Sequence, residues 1–168
     1  YYQRCGMAKA FPYADTGFVD GVCHKGTQQD TDCRLYNNTN VSTSKDLSGG
    51  WHDAGDYNKY VNFAYSPLID MLLAYEYNPT VFTDDYNIPE SGNGIPDLLD
   101  EAKYELDWFI KMQGNDSSLI SVIGGGSASP NSADAAFRRY GPPTTAASLT
   151  GASAFALAAI QFSAIGQT

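Results

Sequence analysis

Apolar residues recur at helical spacing in three stretches of the chain and alternate at strand spacing in none. From Ser66 onward, Leu68, Ile69, Leu72, Leu73 and Tyr75 fall on one side of a helix; Ser66 as N-cap and Pro67 in the first turn open it, and Asn78-Pro79 closes it. A second helix is predicted from Ile95-Pro96-Asp97 to about Gln113-Gly114, with Leu98, Leu99, Ala102, Leu106, Phe109 and Ile110 facing a core. Asp97 complements the positive end of its helix dipole, while Asp100, Glu101, Glu105 and Asp107 read as a solvated face or as capping groups. The third helix, Thr144 to about Ile165, is built from Ala and Gly, whose small size permits close packing against neighbours. Residues 1–8 read as the end of another helix. The predicted fold class is therefore all-α, with helices paired antiparallel through loops that gather the functional residues.

Between these periodic stretches, Phe11 to Ser48 is polar, rich in Gly, Asp, Asn and Thr, and reads as one long irregular loop; Gly124 to Asn131 reads as a Gly/Ser loop. A structureless segment of that length inside a domain needs something to pin it. At 168 residues with 43% hydrophobic content the chain suffices for one core and one domain. No apolar run reads as long enough to span a membrane. Ten Lys and Arg against 19 Asp and Glu leave a net charge of -9, which repels phosphate backbones and anionic lipid heads. Nucleic acid and membrane are accordingly excluded as expected partners. A neutral polysaccharide carries no charge to repel, and 12 Tyr suit stacking on sugar faces, although most such rings serve as core or ordinary surface.

The candidate chemistry is concentrated in Gly49-Gly50-Trp51-His52-Asp53-Ala54-Gly55-Asp56. Asp53 and Asp56 stand three residues apart, so in a turn both carboxylates can address one water, one as base and one as orienting acceptor. A D-x-G-D in such a loop also fits an Asx-turn or a helix N-cap. A second constellation uses both histidines and two of the three cysteines: Cys5, Cys23, His24 and His52 suit a tetrahedral zinc ion, though their spacing matches no standard finger. A Cys5–Cys23 disulfide competes with it, and Cys33 stays unpaired either way.

The segment DLSGGWHDAGDYNKYV, from Asp46 to Val61, resembles glycoside hydrolase family 9, the cellulase family of inverting endoglucanases. Tyr2-Gln3-Arg4-Cys5-Gly6 and Ser91 to Gln113, SGNGIPDLLDEAKYELDWFIKMQ, resemble two further blocks of that family in the same order, and Tyr140 to Thr145 resembles it more weakly. The resemblance implies an (α/α)6 barrel of about twelve helices, more than this length supplies, so residues 1–168 are expected to be the N-terminal portion of a catalytic domain. It implies Asp56 as general base and Asp53 as a holder of the nucleophilic water; the family's general acid, a Glu nearer the C-terminus, has no match here. Two acids this close in sequence are not the opposed pair of an inverting site, whose carboxyls stand about 6.5–9.5 Å apart.

By the same resemblance, Cys5, Cys23, His24 and His52 hold a structural zinc that ties the catalytic loop in place. Calcium is common in the family, with no ligands assigned here. Trp51 and Tyr57 flank the acids and are the candidate sugar-stacking rings, the alternative for Trp51 being to pack the base of the loop. The expected substrate is a β-1,4-glucan, the expected location extracellular, and the expected partners the remainder of the barrel and accessory domains. The chain alone is expected to be inactive. The alternatives are a non-catalytic carbohydrate-binding or structural remnant of the family and, more remotely, an unrelated zinc-stabilised interaction module.

Overall fold

The structure, a computed structural model, describes residues 1–125 and 137–167. The part of the Gly124–Asn131 loop from 126 onward lies outside the described residues. In chain order the regular elements are β1 (Arg34–Leu35), β2 (Lys59–Tyr60), α1 (Val61–Tyr77), α2 (Asp97–Met112), β3 (Val122–Gly124), β4 (Arg139–Tyr140) and α3 (Thr145–Ala164). Phe11 to Ser48 is otherwise irregular, carrying β1 and two three-residue 3-10 turns.

The strands form a small mixed sheet in the order β1-β4-β3-β2, which corrects the all-α expectation. β1 runs parallel to β4, and β3 runs antiparallel to both β4 and β2. Strands of two or three residues are too short to print a period of two on the sequence, which is why the pattern gave no sign of them. Residues 1–8 likewise form turns rather than a helix end. Their backbone groups are spent on the loop instead: Cys5 donates to the Gly50 carbonyl at 2.7 Å, and His52 donates to the Gln3 carbonyl at 2.9 Å.

α1 begins six residues before the predicted start, directly out of β2, so that Pro67 lies inside the helix rather than at its entrance. Val61, Ala64, Leu68, Leu72 and Tyr75 make its buried stripe, with Ile69 and Leu73 half-buried beside it. α2 runs within a residue or two of the predicted bounds, but its buried face is wider: Asp100 and Glu105 are buried with Leu99, Ala102, Leu106 and Phe109. Ile110, expected in the core, is 58% exposed. α3 is capped by Thr144, whose hydroxyl accepts from Ala147 N–H at 3.1 Å, and buries Ala147, Gly151, Ala154 and Ala158.

The core lies where the three helices meet and under the sheet, around Leu68, Leu72, Trp108, Phe109, Met112, Leu119, Ile123 and Ala154. A Cβ on Gly151 would come within 2.4 Å of the Leu119 side chain, so Leu119 packs against α3 in this position because residue 151 has no side chain. By length and composition α3 is also apolar enough to cross a membrane, which corrects the expectation that no run is; in the fold it packs on α1 and α2.

Candidate active site

The loop from Gly49 to Asn58 is held on three sides. Gly50 has φ 72°, and a Cβ there would lie 2.6 Å from the Trp108 ring, so the backbone passes flat over that indole only as glycine. Lys59, fully buried, donates to the Leu47 and Gly49 carbonyls at 3.0 and 2.6 Å. From α2, Glu105 accepts Trp51 N–H at 2.6 Å and Glu101 accepts the Trp51 indole N–H at 2.8 Å. These two acids, expected on a solvated face or as capping groups, are therefore the posts on which the loop rests. Burial pushes the Glu105 carboxyl up to about 8, against the pull of the Lys59 charge, and its Oε1 has no hydrogen-bond partner.

Beneath the loop lies a buried ion cluster. Asp30 meets Lys59 and Arg138 at 2.7 Å each, all three fully buried. Burial raises the Asp30 carboxyl, but the two cations together outweigh it and hold it at about 2. Arg138 also donates to the Tyr57 carbonyl at 2.8 Å, and the Cys5 thiol lies 3.3 Å from Asp30 Oδ2. Sequence reasoning missed all three residues, because partners up to 108 positions apart leave no local pattern.

Cys5, Cys23, His24 and His52 converge as expected: all are buried, and their ligand atoms lie within 4.8 Å of one another. Cys5 Sγ is 3.8 Å from Cys23 Sγ and 3.7 Å from His24 Nδ1, and Cys23 Sγ is 3.8 Å from His52 Nε2. The sulfurs stand nearly twice a disulfide length apart, and both thiols are free. A tetrahedron with zinc–sulfur arms of about 2.3 Å has edges of about 3.8 Å, so this donor set fits zinc in both chemistry and span. His24 adopts φ 54°, a left-handed turn that lets consecutive residues Cys23 and His24 face the same centre. The hydrogen bond from Cys5 and those from the histidines stabilise a thiolate at Cys23, while the same bond and burial keep the Cys5 thiol protonated. Burial lowers the His52 imidazole below its ordinary value.

Asp53 and Asp56 are brought together. Burial, and next the Asp56 charge beside it, raise the Asp53 carboxyl. Asp53 lines a cleft of ≈ 470 Å³ with Trp51, His52, Tyr60, Phe63 and Glu101. Asp56, half-buried, is not part of that lining; Asn58 holds its carboxylate through two hydrogen bonds. Tyr60 borders this cleft and a second depression lined by Tyr36, Asn58, Val122 and Arg139. Trp51 thus stands in the cleft wall, whereas Tyr57 packs edge-on against His52 and His24, at 4.8 and 6.0 Å, on the Cys/His side of the loop. Phe63, 62% exposed and 4.8 Å from the Tyr60 ring, is the aromatic wall that the sequence reading left out.

A further group of acids lies at the start of α2. Asp84, Asp97 and Asp100 come within reach of one ion. Asp97 is 2% exposed; its Oδ2 accepts from Tyr86 N–H and the Ser91 hydroxyl, and its Oδ1 has no partner. Burial raises the Asp100 carboxyl, and the neighbouring Glu90, Asp97 and Asp84 charges add to it.

The profile of glycosyl hydrolase family 9 matches residues 1–168. The chain belongs to this family. Endoglucanase D of Acetivibrio thermocellus is 42% identical over 123 residues, covering 70% of this chain and 18% of that protein. A xyloglucan-specific endo-β-1,4-glucanase of Bacteroides ovatus is 47% identical over 76 residues, covering 45% of this chain and 12% of the relative. Among solved structures, a metagenome-derived family 9 endoglucanase superposes with a TM-score of 0.81 at 33% identity, over 98% of this chain and 30% of its own. A Zn-binding triple mutant of the family 9 endoglucanase J30 superposes with a TM-score of 0.79 at 30% identity, over 97% of this chain and 32% of its own. The chain thus spans about a third of the family 9 structures it matches, and the small sheet and the helices described above are the part it shares with them.

Proposed function

We propose that this chain carries the base side of a family 9 active site that hydrolyses β-1,4-glucosidic bonds of cellulose or related β-glucans with inversion. The observation that carries the reading is the Asp53–Asp56 pair on a loop fixed from below by Lys59, Glu101 and Glu105, at the edge of a cleft walled by Trp51, Tyr60 and Phe63. Asp56 takes a proton from water while Asp53 accepts the water's other hydrogen; the oxygen attacks the anomeric carbon as the glycosidic C–O bond breaks. A carboxylic acid on the opposite face gives its proton to the leaving oxygen. No Glu of this chain matches the family's acid motif, so residues 1–168 act with the remainder of the barrel and are inactive alone. Trp51, Tyr60 and Phe63 present ring faces to the sugar, and Tyr57 supports the loop from behind through the histidines.

Cys5, Cys23, His24 and His52 would hold a structural zinc, which supplies rigidity and no chemistry to the substrate. Because His52 immediately precedes Asp53, a metal bond at one residue fixes the backbone of the next. The all-oxygen donors of Asp84, Asp97 and Asp100, with the unpartnered Asp97 Oδ1, suit calcium rather than zinc. A polymer outside the cell as substrate places the enzyme there too.

Proton NMR of the first product released from a soluble β-1,4-glucan by the complete catalytic domain tests the reaction. The α-anomer must appear first; a β-anomer as first product rules out inversion, and no cleavage of any β-glucan leaves only a binding remnant.

A further inference from the structure

Asn58 touches both acids at once. Its backbone N–H donates to Asp56 Oδ1 at 3.1 Å, and its side-chain Nδ2 donates to Asp56 Oδ2 at 2.7 Å. Its carbonyl accepts Asp53 N–H at 2.9 Å. The first of these bonds is what any Asx-turn makes, but the second takes the other carboxylate oxygen as well, so the Asp56 head group cannot rotate about its last torsion without losing a charge-assisted bond. The amide orientation follows from chemistry, since an ionised carboxylate only accepts and so must face Nδ2.

Asn58 is itself immobilised. It directly precedes Lys59, which is paired with Asp30 at 2.7 Å and lies in register with Ile123 of β3. Its Oδ1 is buried without a hydrogen-bond partner, and a Cβ on Gly124 would come to 3.0 Å from it, so β3 makes room for this amide by having no side chain there. A buried, unpartnered amide oxygen is costly, and it persists here because turning the amide over would set that oxygen against the Asp56 carboxylate.

We propose that Asn58 is a positioning residue that locks the Asp56 carboxylate in one rotation and sets the spacing of Asp53 against it, so that one free lone pair of Asp56 meets the nucleophilic water. This rests on the assignment of Asp56 as the base. The variants to compare in the complete enzyme are Asn58→Ala and Asn58→Asp, on a soluble β-1,4-glucan. Asn58→Ala should lower kcat by about tenfold or more, the worth of one hydrogen bond to a charged group, with KM within about twofold. Asn58→Asp keeps the shape but, ionised, loses the side-chain donor, so it should be at least as impaired as Asn58→Ala.

A residue that merely fills space would be replaced by Asp without loss. Wild-type kcat in Asn58→Asp, or a change in KM alone in Asn58→Ala, overturns the proposal. Melting temperature and zinc content are read on both variants, and if Asn58→Ala does not fold, the isosteric Asn58→Asp decides by itself. Asp56→Asn is measured beside them. Full activity there removes the base assignment, whereas its inactivity together with full activity of Asn58→Asp removes only the role of Asn58.

Discussion

At the scale of single residues, Glu105 shows how position alone misleads. It sits on α2 among other acids, and its identity suggests water; in the fold it is a buried post under Trp51, and burial raises its carboxyl from 4.5 to about 8 against the pull of Lys59 and the Trp51 N–H. Between these two values the folded protein holds a proton that the unfolded chain releases, so stability falls as pH rises through that window and is unaffected below it. Glu105→Gln keeps the acceptor for Trp51 N–H and removes the ionisation. It should match the wild type below pH 4.5 and exceed it by on the order of 5 kcal/mol at pH 9, read from denaturant midpoints across pH. That Cys5, Cys23, His24 and His52 converge and that Asp53 lies beside Asp56 was expected from the family resemblance of their segments; residue type and spacing alone left a disulfide and an Asx-turn open. Glu105, Asp30, Lys59 and Arg138 were not legible in the sequence, since a buried charge is defined by a partner far along the chain.

At the scale of elements, long periodic stretches were readable and short or interrupted ones were not. α2 and α3 appear where Leu99, Leu106 and Phe109, and the Ala/Gly run after Thr144, place them. α1 was started too late because Ser66-Pro67 has the form of a helix entrance, yet Val61 and Ala64 already face the core ahead of it. Pro67 therefore costs α1 one backbone hydrogen bond, to the Phe63 carbonyl, on an exposed side of the helix. Pro67→Ala should stabilise the protein by about 1–2 kcal/mol, the interior-proline penalty less the added freedom of the unfolded chain, measured by urea denaturation. The sheet stayed hidden for the opposite reason. Its strands are held by pairing and by side-chain contacts such as that of Tyr140 in β4, whose hydroxyl donates to the Thr43 carbonyl at 2.9 Å, rather than by any pattern of their own.

At the scale of the whole molecule, the long segment Phe11 to Ser48 is tolerable because it is pinned at two buried centres, the Cys/His tetrad and Asp30, and at the sheet through β1. On the proposed zinc site, a chelator should lower the melting temperature of the complete enzyme by at least about 5 °C and cut kcat with it, both restored by one equivalent of zinc per chain. A loss of kcat without a change in melting temperature would put the metal at the chemistry instead of under it. The central claim is that the loop opened by Gly49-Gly50 presents Asp56 as the catalytic base of a β-glucanase. Turnover of Asp56→Asn on soluble β-1,4-glucan, in the complete enzyme, tests it most directly: kcat should fall by about a thousandfold or more with melting temperature and zinc content unchanged, and near-normal turnover would contradict it.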